Sequence, residues 1–156
     1  MAAKRKARPV PKGYPTVSSY LVVDGAAAAI RFYRRVFGAA ERMRMKAPGG
    51  KIGHAELRIG TSVVMLADEH PEHGFRGPRA FGGSSVTLHV YVEDVDTVIG
   101  RATRAGATLV RPVKDQFYGD RSGTFVDPFG HVWNVATHVE DVPPRELARR
   151  MKAAGA

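Results

Sequence analysis

The chain contains no cysteine, which excludes disulfides, thiolate metal ligands and cysteine nucleophiles. It has no apolar run of the ~18 residues that a membrane-spanning helix needs. Its first residues, MAAKRKARPVPKGYP, are basic but lead into no apolar stretch, so they do not read as a secretory signal. These absences fit a cytoplasmic protein with no membrane partner. Tryptophan is scarce too: Trp133 is the single one.

Positive charge is in excess, with a net charge of +9. Its distribution argues against a specific nucleic-acid face. Lys4, Arg5, Lys6, Arg8 and Lys12 crowd the first dozen residues with no acid among them. Arg145, Arg149, Arg150 and Lys152 lie in the last dozen against Glu146 alone. The body between the two ends is near neutral, and no stripe of alternating aromatic and basic residues runs along it. Residues 1–13 therefore read as a disordered basic arm.

The 156 residues suit a single domain with a real core. One strand–helix unit is written twice. Thr16 to Val23 (TVSSYLVV) reads as a strand, followed by DGAAAAIRFYRRVFGA. There Asp24 is a cap candidate, and Ala26, Ala29, Ile30, Tyr33 and Phe37 share a helical face. Residues 86–107, VTLHVYVEDVDTVIGRATRAGA, repeat the pattern with Asp94 as cap and Val95, Val98, Ile99 and Ala102 on one face. Gly38 and Gly106 are the matching stops. Strands are expected near 40–46, 51–59 and 62–67 in the first half. In the second they are expected near 108–113, 123–126 and 131–137. The turn between the last two is Asp127-Pro128-Phe129-Gly130.

The expected fold is α+β: two tandem βαβββ modules forming cupped mixed sheets around a cavity. The first module covers residues 14–67 and the second 86–140. A Gly- and Pro-rich inter-module loop covers 68–85. A short C-terminal helix or tail covers 141–156, opened by Pro143-Pro144. A cavity between such modules is the natural place for a ligand.

These repeated units, the opening YLVVDGAAAAIRFYRRVFGA and the closing DPFGHVWNVATH resemble the vicinal oxygen chelate superfamily of glyoxalases, extradiol dioxygenases and bleomycin-resistance proteins. PKGYPTVSSYLVVDGAAAAIRFY, GHAELRIGTSVVMLADE and DQFYGDRSGTFVDPFGH look most like its PhnB-like branch. The resemblance implies a homodimer and, in the metal enzymes, a divalent ion held by inward-facing His and carboxylate groups. Those positions fall on Ser18, Glu56, Thr87 and Asn134, of which only Glu56 is a strong ligand.

The expectation is therefore a small-molecule-binding protein without the usual metal. The alternative is a lyase, isomerase or dioxygenase in which His54, Glu56, His89 and His138 hold Zn, Ni, Fe or Mn. Glu56 is also the candidate catalytic base. The polar and aromatic block Gln116, Phe117, Tyr118, Asp120 and Arg121, with His89, Asn134 and Trp133, is the candidate ligand wall. His131 suits capping of the last hairpin. Trp133 has the parity of a residue packed under the second helix.

Overall fold

A computed structural model describes residues 7–155. The arm expected over 1–13 lies in part outside the described residues. From Arg8 to Gly13 the chain is exposed, and it turns at Pro11, whose carbonyl accepts from the Tyr14 amide.

The elements follow in the order β1 (Ser19–Val23), α1 (Ala26–Phe37), β2 (Ala40–Lys46), β3 (Ile52–Ile59) and β4 (Ser62–Asp68). Then come β5 (Thr87–Tyr91), α2 (Val95–Arg104), β6 (Thr108–Asp115), β7 (Asp120–Val126), β8 (Val132–His138) and α3 (Pro144–Ala153). They build two open four-stranded sheets, β1-β4-β3-β2 and β5-β8-β7-β6. In each, the first strand runs parallel to the last and the rest is antiparallel. The fold is α+β, with two tandem modules whose sheets do not close.

Helices α1 and α2 are both amphipathic at the 3.6-residue period, and this decides how the modules pack. Ala26, Ala29, Ile30, Phe32, Tyr33 and Val36 are buried on α1, and Val95, Val98, Ile99 and Ala102 on α2. The helix-side faces of both sheets join them in one core that includes Leu21, Ala55, Leu57 and Leu66 of the first module and Phe125, Trp133 and Val135 of the second. The modules thus meet through their helices. Each sheet turns its other face away from that shared core, and neither sheet closes on itself.

Two local details differ from expectation. Asp24 does not cap α1. The cap residue is Gly25, in a left-handed conformation (φ 99°) with no side chain to offer. Asp68, at the end of β4, does the work instead: its Oδ1 accepts from the amides of Gly25 (3.0 Å) and Ala26 (2.7 Å), and its Oδ2 from that of Ile52 (2.7 Å). In the second module Asp94 is a true N-cap, accepting from the Thr97 amide at 3.1 Å. His131 bonds across the module boundary, with its Nε2 3.0 Å from the Val22 carbonyl oxygen.

Asp127 is the main polar node of the core. Its Oδ1 accepts from the amides of Phe129 and His131, and its Oδ2 from the Tyr33 hydroxyl (2.6 Å) and Trp133 Nε1 (2.9 Å). A carboxylate buried this deeply is tolerable because donors surround it.

Candidate functional site

Strand alternation places every second residue on the outward face of each sheet. On the first, the register aligns Tyr20, Met65, Glu56 and Met43 in one row across β1, β4, β3 and β2. On the second, the equivalent row is His89, Asn134, Thr124 and Arg111 across β5, β8, β7 and β6. The repeat is therefore kept residue for residue in position and broken in chemistry. Glu56 corresponds to Thr124, and Asn134 to Met65.

Glu56 is 5% exposed although it lies on the outward face. The Tyr14 hydroxyl donates to its Oε2 at 2.6 Å, and His54 Nε2 lies 3.1 Å from its Oε1. The Tyr20 hydroxyl in turn lies 2.9 Å from His54 Nδ1. Arg42 sits over the Tyr14 ring, 4.4 Å from its centroid, and donates to the Gly13 carbonyl. The segment just before β1 is thereby strapped over the carboxylate. Burial pushes the Glu56 pKa up, but the hydrogen bonds from Tyr14 and His54 and the nearby charges outweigh it and leave the group below its ordinary value. The Tyr14 pKa is raised, first by its bond to Glu56. Neither Tyr14 nor Tyr20 was singled out from sequence. The only cue was their place in PKGYPTVSSYLVV, at the mouth of the first strand.

The second sheet carries a cleft of about 820 Å³ over its outward face, within the ~300–1,000 Å³ range of small-molecule sites. Thr87, His89 and Asn134 line one side, Gln116 and Tyr118 one end, and Arg111 and Lys114 the far wall. A hydrogen-bonded chain crosses its floor. The Thr124 hydroxyl donates to Asn134 Oδ1 (2.9 Å), and Asn134 Nδ2 donates to His89 Nδ1 (2.8 Å), leaving the His89 proton on Nε2. Gln116 Nε2 donates to the Ser122 hydroxyl at 3.1 Å, which leaves the Gln116 carbonyl free to accept. The turn that carries Tyr118 is pinned at Gly119, whose carbonyl accepts from the amides of Val139 and Glu140. Gly119 has φ 99°, and a Cβ there would run into the Glu140 carbonyl, so only glycine fits.

The remaining sequence candidates lie elsewhere. Asp120 and Arg121 do not share one ligand wall, because both lie in β7 and neighbours in a strand face opposite ways. Asp120 is buried, bonded to the Tyr91 hydroxyl (3.0 Å) and to His138 Nδ1 (2.7 Å). Arg121 points to the helix side and forks onto Asp96 at the start of α2, with a further bond to Asp115. Trp133 is 3% exposed and packs on Tyr33 and Phe37 of α1 in the core that also holds the buried face of α2, and it does not line the cleft. Phe117 is half-buried against Tyr118, and its carbonyl accepts from Arg150 of α3. His138 bridges Asp120 and Asp141, 2.7 Å from each through opposite ring nitrogens. Its pKa is raised, first by Asp141 and then by Asp120.

The residues do not fit a metal centre within one chain. Glu56 already accepts on both oxygens, and Asn134 spends its amide on Thr124 and His89. His54 and Glu56 lie on one sheet, His89 and His138 on the other. Among the described residues no group of three His, Asp or Glu side chains has an arrangement that could hold an ion, and no buried side-chain polar atom is left without a partner. Nor is any helix among them long and apolar enough to cross a membrane.

Comparison with known proteins agrees with this architecture. Residues 15–135 match the family model of the Glyoxalase/Bleomycin resistance protein/Dioxygenase superfamily. The chain is 44% identical over 144 residues to the uncharacterized protein Rv0887c of Mycobacterium tuberculosis, covering 90% of this chain and 85% of that one. Among solved structures, TioX from Micromonospora sp. ML1 superposes with a TM-score of 0.61 at 30% identity, over 80% of this chain and 99% of that one. The PhnB protein from Bacillus cereus superposes with a TM-score of 0.65 over 79% and 99%. At 18% identity it shows a shared fold alone.

Proposed function

The chain belongs to the Glyoxalase/Bleomycin resistance protein/Dioxygenase superfamily, and on that premise we propose that it is a small-molecule-binding member that works without the family's usual metal. The observation that carries this reading is the cleft over the second sheet. It offers Gln116, Tyr118, His89 and Asn134 as wall and hydrogen-bonding groups, and affinity there would come from shape, aromatic contact and a few polar anchors. We assign the protein to the PhnB-like branch on its QFYGDR and DPFGH blocks. A cytoplasmic location is our reading from the cysteine-free composition.

The same reading makes the protein a homodimer. Both sheets leave large apolar side chains on their outward sides: Tyr20, Met43 and Met45 on the first, Tyr91, Val110 and Tyr118 on or beside the second. Exposed apolar surface of this kind marks interaction sites. A two-fold pair can set the first sheet of each copy against the second sheet of the other, covering both at once.

A second reading has one observation in its favour. His54 and Glu56 are 3.1 Å apart on one outward face, and a facing copy would bring His89 toward them. That would be the metal-dependent lyase, isomerase or dioxygenase. Elemental analysis of protein purified without chelators, together with light scattering, separates the two. Dimers without stoichiometric metal, and with thermal stabilisation by members of a small-molecule library, are expected. About one equivalent of Zn, Ni, Fe or Mn per chain, lost on Glu56→Ala, would replace the binding protein with the enzyme.

A further inference from the structure

The wall of the cleft formed by β6 is the least expected part of the molecule. Arg111 and Lys114 are three positions apart, and in a regular strand they would face opposite sides. They do not. Arg111 pairs with Thr124 and Lys114 with Ser122, so β6 spends three steps where β7 spends two. The extra residue is a bulge, and it turns both cations onto the face that carries the cleft. Both side chains line it.

The bulge has a seat built for it. It rides over Gly123 of β7, where a Cβ would come within 2.9 Å of Val113 Cγ2 and 3.2 Å of the Arg111 carbonyl. Any larger residue at 123 would push β6 away.

The charge there is uncompensated. No Asp or Glu lines the cleft. Among the described residues neither Arg111 nor Lys114 enters an ion pair, whereas Arg44, Arg121, Arg149 and Arg150 all do. Asp115, next to Lys114 in the chain, gives its carboxylate to Arg121 on the other side of the sheet. The first module offers a contrast at the position equivalent to Arg111: Met43, whose partner is Glu56. The asymmetry between the repeats is therefore concentrated at this wall.

We propose that the cleft takes a small organic anion, with its carboxylate or phosphate held between Arg111 and Lys114 and its apolar body against Val110, Pro112 and Tyr118. Arg111 supplies a planar fork suited to an oxyanion and Lys114 a point charge. Their β7 partners are two strand residues apart, a span of about 7 Å, which one anionic group can bridge. His89 Nε2–H and Gln116 Oε1 then serve polar groups elsewhere on the ligand. This assignment rests on the reading of the cleft as the ligand site and adds the ligand's charge to it.

The test is nuclear magnetic resonance titration of the full chain with four probes of one shape: benzoate, phenyl phosphate, neutral benzamide and the benzyltrimethylammonium cation. Saturable shifts at Gly123, Thr124 and Asn134 are expected with benzoate or phenyl phosphate. The neutral and cationic probes should bind at least tenfold more weakly. Arg111→Met combined with Lys114→Met, both exposed positions, should remove anion binding. Arg145→Met with Lys152→Met, which deletes the same charge on α3, should leave it intact. Equal binding of benzamide or the ammonium probe on this face would overturn the anion assignment while keeping the cleft as a site. Anion binding that survives the Arg111/Lys114 change would overturn it as well. Shifts absent from this face with every probe would overturn both the assignment and the ligand site it rests on.

Discussion

The Tyr33 hydroxyl of the first module donates a 2.6 Å hydrogen bond to the Asp127 carboxylate of the second, and both residues are buried. The two modules are therefore joined by a polar contact at the centre of a shared apolar core, beside the aromatic contacts of Tyr33 with Phe129 and Trp133. Burial raises the Tyr33 pKa well above its ordinary value, and the Asp127 charge adds to this, so the phenol stays protonated and donates.

Replacing that donor tests how firmly the modules are coupled. Tyr33→Phe keeps the ring and its packing but takes one of the donors from Asp127. A hydrogen bond to a charged group is worth about 1.5–3 kcal/mol, and a loss of that size in urea unfolding is expected, still in one cooperative transition. A change below about 0.5 kcal/mol would mean that Asp127 is satisfied by its backbone and Trp133 donors alone.

The strap over Glu56 has a pH dependence with a definite sign. The Glu56 pKa is lowered in the folded chain, so the contribution of Tyr14 and His54 is present above the ordinary glutamate value. It is lost as pH falls through the lowered one. Tyr14→Phe removes a donor and should move the Glu56 titration upward, because burial then has less to oppose it. A carbonyl-carbon resonance titration reads this directly. An unmoved Glu56 titration would show that the segment before β1 does not hold the carboxylate in solution.

His138 runs the other way. Its pKa is raised above the ordinary 6.5 by Asp141 and Asp120, so its bridge between β7 and the residues after β8 is fully present below that value. The bridge is lost as pH rises through the raised one. The difference in melting temperature between wild type and His138→Gln should therefore be largest in mildly acidic buffer and shrink toward alkaline pH. A difference independent of pH would assign His138 a packing role only. Because the side chain is half exposed, salt should reduce the effect.

What could be read from sequence alone was local and periodic. The β-branched run, the helix with apolar residues at 3.6-residue spacing and the stop glycine occur twice, and both modules form where that pattern stands, because each half buries the same kind of stripe. Asp94 was readable as a cap because the group it satisfies is three residues away. The relation of Glu56 to Tyr14, across 42 positions, left no such mark, and neither did the capping of α1 by Asp68 from the far end of β4. The strand expected over 123–126 in fact begins at Asp120, so alternation turns Asp120 and Arg121 to opposite faces and splits the expected ligand wall between them.

The tertiary structure alone decided the two features on which the proposed function rests. The helices, not the sheet edges, join the modules, since Phe32, Tyr33 and Phe37 of α1 find the aromatic face of Phe125, Phe129 and Trp133. This leaves both outward faces open. A one-residue bulge over Gly123 then turns Arg111 and Lys114 to the same side. Sequence spacing places them on opposite sides, because a strand's period of two holds only while the ladder is unbroken.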